Sequence, residues 1–212
     1  MQNRKIEFSI KNIAYYLVGF AIIGLGVNLM KRASLGAGAW DTVSINLNEN
    51  LTGLTLGTCS LIISITLMLI VIAYRRKLRF LFMSLPLILV ALSIDFWDII
   101  VLGDIMPSAF LMKLVWYVAG IIIIPFALAL VITSKFPAFV FDEVMMMVMD
   151  IFKTERVVYA RLGIEFFGIF LGIVLGYIAG VGFGAVGLGS IIGIFIFTPL
   201  LGFYLKRLGT KS

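Results

Sequence analysis

Six apolar runs of roughly 20 residues, each broken off by charge, proline or glycine, constrain this chain more than any other feature. They are Ile13–Met30, Leu54–Tyr74, Leu81–Leu102, Met112–Ser134, Val158–Ala179 and Ala185–Leu205. At about 1.5 Å per residue, a helix of that length crosses a hydrocarbon layer about 30 Å thick. Arg75-Arg76-Lys77 and Arg79 separate the second run from the third. Asp104 and Pro107 separate the third from the fourth, and Gly180-Val181-Gly182-Phe183-Gly184 the fifth from the sixth. Charged residues make up 13% of the chain, against about a quarter in a soluble domain. That excludes an ordinary globular enzyme, a disordered chain and a coiled coil. The first run follows Arg4, Lys5 and Lys11, as a signal peptide would. It is too long for a signal core, however, and ends at Lys31-Arg32 with no small-residue cleavage pattern. It is expected to stay as the first helix.

The net charge is +6, but no basic stripe runs along a soluble helix, so no nucleic-acid partner is expected. The charge reads instead as topology. With six spans, Lys31, Arg32 and Lys113 fall on one side, and the other 14 of the 17 Lys and Arg residues fall on the opposite side. Cytoplasmic loops collect Lys and Arg, so both termini are expected in the cytoplasm.

Histidine is absent, and Cys59 is the single cysteine. Intrachain disulfides, His-based metal sites and Ser-His or Cys-His chemistry are therefore excluded. Any proton coupling must use carboxylates. Asp95 and Asp98 stand three apart on one helix, whereas an aspartyl dyad needs two converging helices. The cluster Met145-Met146-Met147 with Met149 lacks a partner for metal binding. Neither an enzyme nor a cofactor nor a metal site is expected.

Two segments, 36–51 and 137–152, are neither spans nor simple loops. In the second, Asp142, Glu143, Met146, Asp150 and Lys153 share one helical face, and Val140, Val144, Met147, Val148 and Ile151 share the other. This predicts a short amphipathic helix, interfacial or re-entrant. The two segments match at an offset of 101 residues. Gly36-Ala37 falls on Pro137-Ala138, Trp40-Asp41 on Phe141-Asp142, Val43 on Val144 and Gly19 on Gly120. Each half has three spans, so a duplication must place one half upside down. The predicted fold is thus an all-α membrane protein with six transmembrane helices in two inverted three-helix repeats. Residues 1–103 and 104–212 form the repeats, within a single membrane domain. Asp41 is then expected near the outer face and Asp142 near the inner one, with a substrate site between the halves.

Leu35-Gly36-Ala37-Gly38-Ala39-Trp40-Asp41, followed by Gly53-Leu54-Thr55-Leu56-Gly57, resembles the signature of the YczE/YyaS/YitT group of bacterial membrane proteins, closest to its YczE-like branch. Glu165 and Gly187-Leu188-Gly189-Ser190 are similar to the same pattern. Ala39 departs from it where many relatives have proline, and Met83-Ser84 where they often have Gly-Thr. The resemblance implies a multi-pass membrane protein, a suspected transporter, and in some members a link to secreted peptide metabolites.

A carboxylate inside a bilayer costs about 2.5–3.5 kcal/mol, so each one needs a reason. Glu165 lies within the fifth span with Arg161 one turn earlier, either as a structural ion pair or as a proton- or substrate-binding pair. Asp95 is the deeper site candidate of its pair, and Asp98 is expected to be solvated near the outer end. Asp41 and Asp142 are either helix caps or, beside Trp40 in the first repeat, ligand-orienting groups at a cavity. Asn28 is placed either in that cavity or in a hydrogen bond to a neighbouring helix. Gly168, Gly172, Gly176 and Gly180 recur every fourth residue and predict a bare face for close helix packing.

Two functions follow. One is a secondary transporter or exporter of a small organic molecule, proton-coupled through intramembrane carboxylates. The other is a non-transporting accessory protein for making or secreting a peptide metabolite. Expected partners are the lipid bilayer, a small-molecule substrate, and a second copy or another membrane protein.

Overall fold

The computed structural model describes residues 9–137 and 139–209. Arg4, Lys5 and Lys211 of the charge pattern, and Ala138 of the repeat match, lie outside the described residues. The helices are α1 (Ile10–Ala33), α2 (Ala39–Asn50), α3 (Leu56–Arg75), α4 (Ser84–Asp95), α5 (Phe110–Thr133), α6 (Val140–Phe152), α7 (Val157–Ile178) and α8 (Leu188–Arg207). A 3-10 turn at Leu78–Met83 leads into α4, and a π-helical stretch at Phe96–Leu102 continues it. Six of these elements are long and apolar enough to cross a membrane: α1, α3, the Leu78–Leu102 rod, α5, α7 and α8. Each overlaps one of the six expected spans. Within lipid a helix satisfies its own backbone, which is why apolar runs of this length fold this way.

Local chemistry sets the helix ends. Lys31 and Arg32 occupy the last turn of α1, where cations meet the negative end of the helix dipole. Thr55 caps α3, its Oγ1 accepting the Thr58 N–H at 3.1 Å. Gly180, at φ 76°, lies just past α7 in the left-handed region that stops a helix.

Glycines let helices approach closely. Gly19 of α1 faces Ala127 and Val131 of α5, and a Cβ at Gly120 would stand 3.0 Å from the Gly26 carbonyl oxygen. Tyr16, Phe20, Ile23, Val27, Ile121 and Val131 form the core around this crossing. A second cluster joins Met68 and Val71 of α3 to Val140, Val144 and Met147 of α6. Glu143, which the helical wheel sets on a polar face, is buried there. It lies 3.7 Å from Arg75 of α3, which also holds Asp150 at 3.0 Å.

The expected glycine face on α7 is used, but not by all four residues. A Cβ at Gly168 would meet Ala39 and Trp40 at 3.3 Å, and Gly172 and Gly176 face Thr42 and Asn46 of α2. Gly180 has nothing packed over it, because the helix has already ended. Amides fasten α2 to this face. Asn46 Nδ2 donates to the Gly172 carbonyl at 2.8 Å, Asn50 Nδ2 donates to Leu175 at 2.9 Å, and the Ala185 N–H donates to Asn46 Oδ1 at 2.8 Å. Asn46 is fully buried. Asn46→Leu leaves the Ala185 N–H unsatisfied and is expected to destabilise by about 1–3 kcal/mol, read as a lower thermal midpoint in micelles.

Candidate functional site

A cavity of about 170 Å³ lies where α1 to α8 each contribute wall residues. Its walls are largely apolar, with Ile23, Val27, Ile63, Leu87, Ile121 and Ile194 among them. Into this lining project Asp41, Asp142, Arg161 and Glu165, with the hydroxyls of Ser44, Ser60, Ser64, Ser190 and Thr198.

The two short helices build its polar part. Trp40 and Asp41 are the second and third residues of α2, and Phe141 and Asp142 hold the same positions in α6. The Trp40 and Phe141 ring centroids lie 5.2 Å apart, so the two helix starts meet. Neither aspartate is a cap, because Gly38 and Phe139 stand at the cap positions. A carboxylate in the first turn instead faces the positive end of its own helix dipole. Asp41 and Asp142, expected near opposite faces, thus line one cavity, because both short helices begin there.

Arg161 and Glu165 are one turn apart on α7, with Nη2 and Oε1 separated by 3.3 Å. The guanidinium also sits 5.2 Å over the Phe197 ring. Arg161 acts electrostatically on Asp142, and Glu165 acts on Asp41. Among the described residues, no group hydrogen-bonds the carboxylate of Asp41 or Asp142. The indole N–H of Trp40 is also buried without a partner. Among the described residues, no three His, Cys, Asp or Glu side chains gather as a metal shell would require.

Five of the seven candidate binding residues, Asp41, Asp142, Arg161, Glu165 and Trp40, therefore line one space. Asp95 and Asn28 do not. Asp95 accepts from Thr55 Oγ1 at 2.6 Å and from the Gly57 N–H at 2.7 Å. It satisfies the start of α3, whose first amides have no partner within the helix. Asn28 is fully buried, donates to Gly24 and Ile94 carbonyls at 2.9 Å, and accepts from Arg32 at 3.0 Å. Asp98 is not simply solvated. It takes Lys31 at 2.9 Å and Arg32 at 2.6 Å, which ties the end of α1 to the π-helical stretch. Trp97 donates its indole N–H to the Ala21 carbonyl at 2.7 Å. The cavity hydroxyls and Phe139, Phe141 and Phe197 were not among the candidates. Serine and phenylalanine are common in lipid-facing helices, so nothing local marks these.

No solved structure matches this chain. It is 26% identical over 147 residues to the uncharacterized protein YyaS of Bacillus subtilis, covering 69% of this chain and 72% of that protein. This agrees with the group to which Leu35–Asp41 and Gly53–Gly57 point. A family model described as a family of unknown function, DUF6198, matches residues 10–206, nearly the whole membrane region, and the chain belongs to that family.

Proposed function

We propose that this multi-pass membrane protein is a secondary transporter or exporter of a small organic molecule, exchanging it against protons at the cavity carboxylates. One observation carries the reading: two carboxylates without hydrogen-bond partners face an apolar cavity where two short helices begin. A buried polar group without a partner is costly, and binding a ligand or a proton offsets that cost.

The helix contacts support two related halves. α1 packs on α5, α2 on α7 and α6 on α3, while α1 meets α4 as α5 meets α8. Each of these contacts has a counterpart when the halves are exchanged. Three spans per half then require inverted repeats, residues 1–103 and 104–212, with α2 and α6 as the re-entrant pieces. Transporters of this plan bind substrate between the halves and expose the site to each side in turn. The distribution of Lys and Arg supports both termini in the cytoplasm of a bacterial cell membrane.

The test is access from two sides. In a Cys59→Ala background, a single Ser60→Cys or Ser64→Cys side chain lines the cavity. An impermeant thiol reagent is added to oriented vesicles from each face separately. Labelling from both faces is the expected result. Labelling from one face or from neither, in folded protein, sinks alternating access and favours an accessory role.

A further inference from the structure

Resting on the transport reading of this cavity, we propose that its ligand is a small organic monocation, an ammonium or similar group on an apolar body that also bears a hydrogen-bond acceptor.

The charge balance is the first argument. Asp41, Asp142 and Glu165 face the cavity, with Arg161 as the single basic residue lining it among the described residues. The starts of α2 and α6 add about half a positive charge each. An excess of about one negative charge remains. Nearby Glu143 shares Arg75, 3.7 Å away, with Asp150 at 3.0 Å, so it does not reduce this excess. A zwitterion brings no net charge and leaves the excess in place, whereas a monocation removes it.

The second argument is independent of charge. Trp40 is 9% exposed, lines the cavity, and has an indole N–H with no acceptor among the described residues. That donor needs an acceptor atom on the ligand. The rings of Trp40 and Phe141, 5.2 Å apart, line the same cavity as the two aspartates, and an aromatic face with a carboxylate is a setting that holds organic cations. The protein already uses it once, holding the Arg161 guanidinium between Glu165 and the Phe197 ring. Because, among the described residues, the carboxylates are not gathered into a metal shell, their charge is spread over a volume and suits a bulky cation. The apolar walls supply the rest of the fit.

The test uses purified full-length protein in nanodiscs of zwitterionic lipid. Calorimetry compares choline phenyl ether with 3,3-dimethylbutyl phenyl ether, which differ only in nitrogen against carbon. The cation is expected to bind about tenfold or more tighter than the neutral ether. Asp41→Asn and Asp142→Asn are each expected to weaken it by about tenfold or more. Arg161→Gln is expected to tighten it, a gain that misfolding does not produce. Equal binding of the two ethers, no binding of the cation, or weaker binding by folded Arg161→Gln overturns the proposal. Cation binding without two-sided thiol labelling keeps the site and sinks transport. Two-sided labelling without cation preference keeps transport and sinks the cation.

Discussion

Replacing Asp98 with alanine is expected to destabilise the protein by about 3–5 kcal/mol, the largest loss from any single exchange considered. Arg32 is 3% exposed. Its guanidinium donates to Asp98 Oδ1, to the Asp98 and Gly103 carbonyls at 3.0 and 2.6 Å, and to Asn28. The carbonyls and the amide remain in the variant, but they carry no charge. A guanidinium is then buried without its anion, and breaking one partner of a buried pair is the expensive case. The double variant Arg32→Met, Asp98→Leu removes both charges and is expected to lose less than the single one. Thermal unfolding in micelles reads both. An Asp98→Ala protein that melts with the wild type, or a double variant worse than the single, contradicts this account.

Gly57→Val is expected to destabilise by about 1–3 kcal/mol and to disturb the cavity wall as well. A Cβ at Gly57 would run into the Ala91 carbonyl and the Asp95 carboxylate. Backbone on the neighbouring helix cannot swing aside as a side-chain end does. The wedge also strains the Asp95 bond to the Gly57 N–H, which closes the start of α3. Because α3 and α4 supply Ser60, Ser64, Leu87 and Val90 to the cavity wall, the effect reaches the site. Thermal unfolding gives the stability loss, and thiol labelling at Ser60→Cys reports the altered wall. Unchanged melting and labelling rule out the close α3–α4 contact.

Much of this molecule is legible without coordinates. The six spans are written locally, since a lipid-crossing helix needs only an unbroken apolar run with clear ends. The Arg161–Glu165 pair is local too, because one helical turn brings those side chains together. Gly168, Gly172 and Gly176 declare a bare face for the same reason, although their partner α2 and its fastening amides Asn46 and Asn50 do not announce themselves. The third span was harder. Nothing in Leu78–Leu102 signals that it divides into 3-10, α and π pieces, because those differ by small shifts in hydrogen-bond register that packing selects.

The acidic residues mark the boundary between the two kinds of information. Sequence by itself determined that the apolar spans carry costly carboxylates and that Asp41 and Asp142 each follow an aromatic residue in a short segment between spans. Tertiary structure alone decided which acids are consumed. Asp95 is taken by the Gly57 N–H and Thr55, and Asp98 by Lys31 and Arg32, from 38 to 67 residues away in the chain. Asp41 and Asp142 meet no such donor among the described residues and remain in the cavity. The physical reason is that a carboxylate's role depends on the donors within about 3 Å of it, and in a bundle those come from helices far off in sequence.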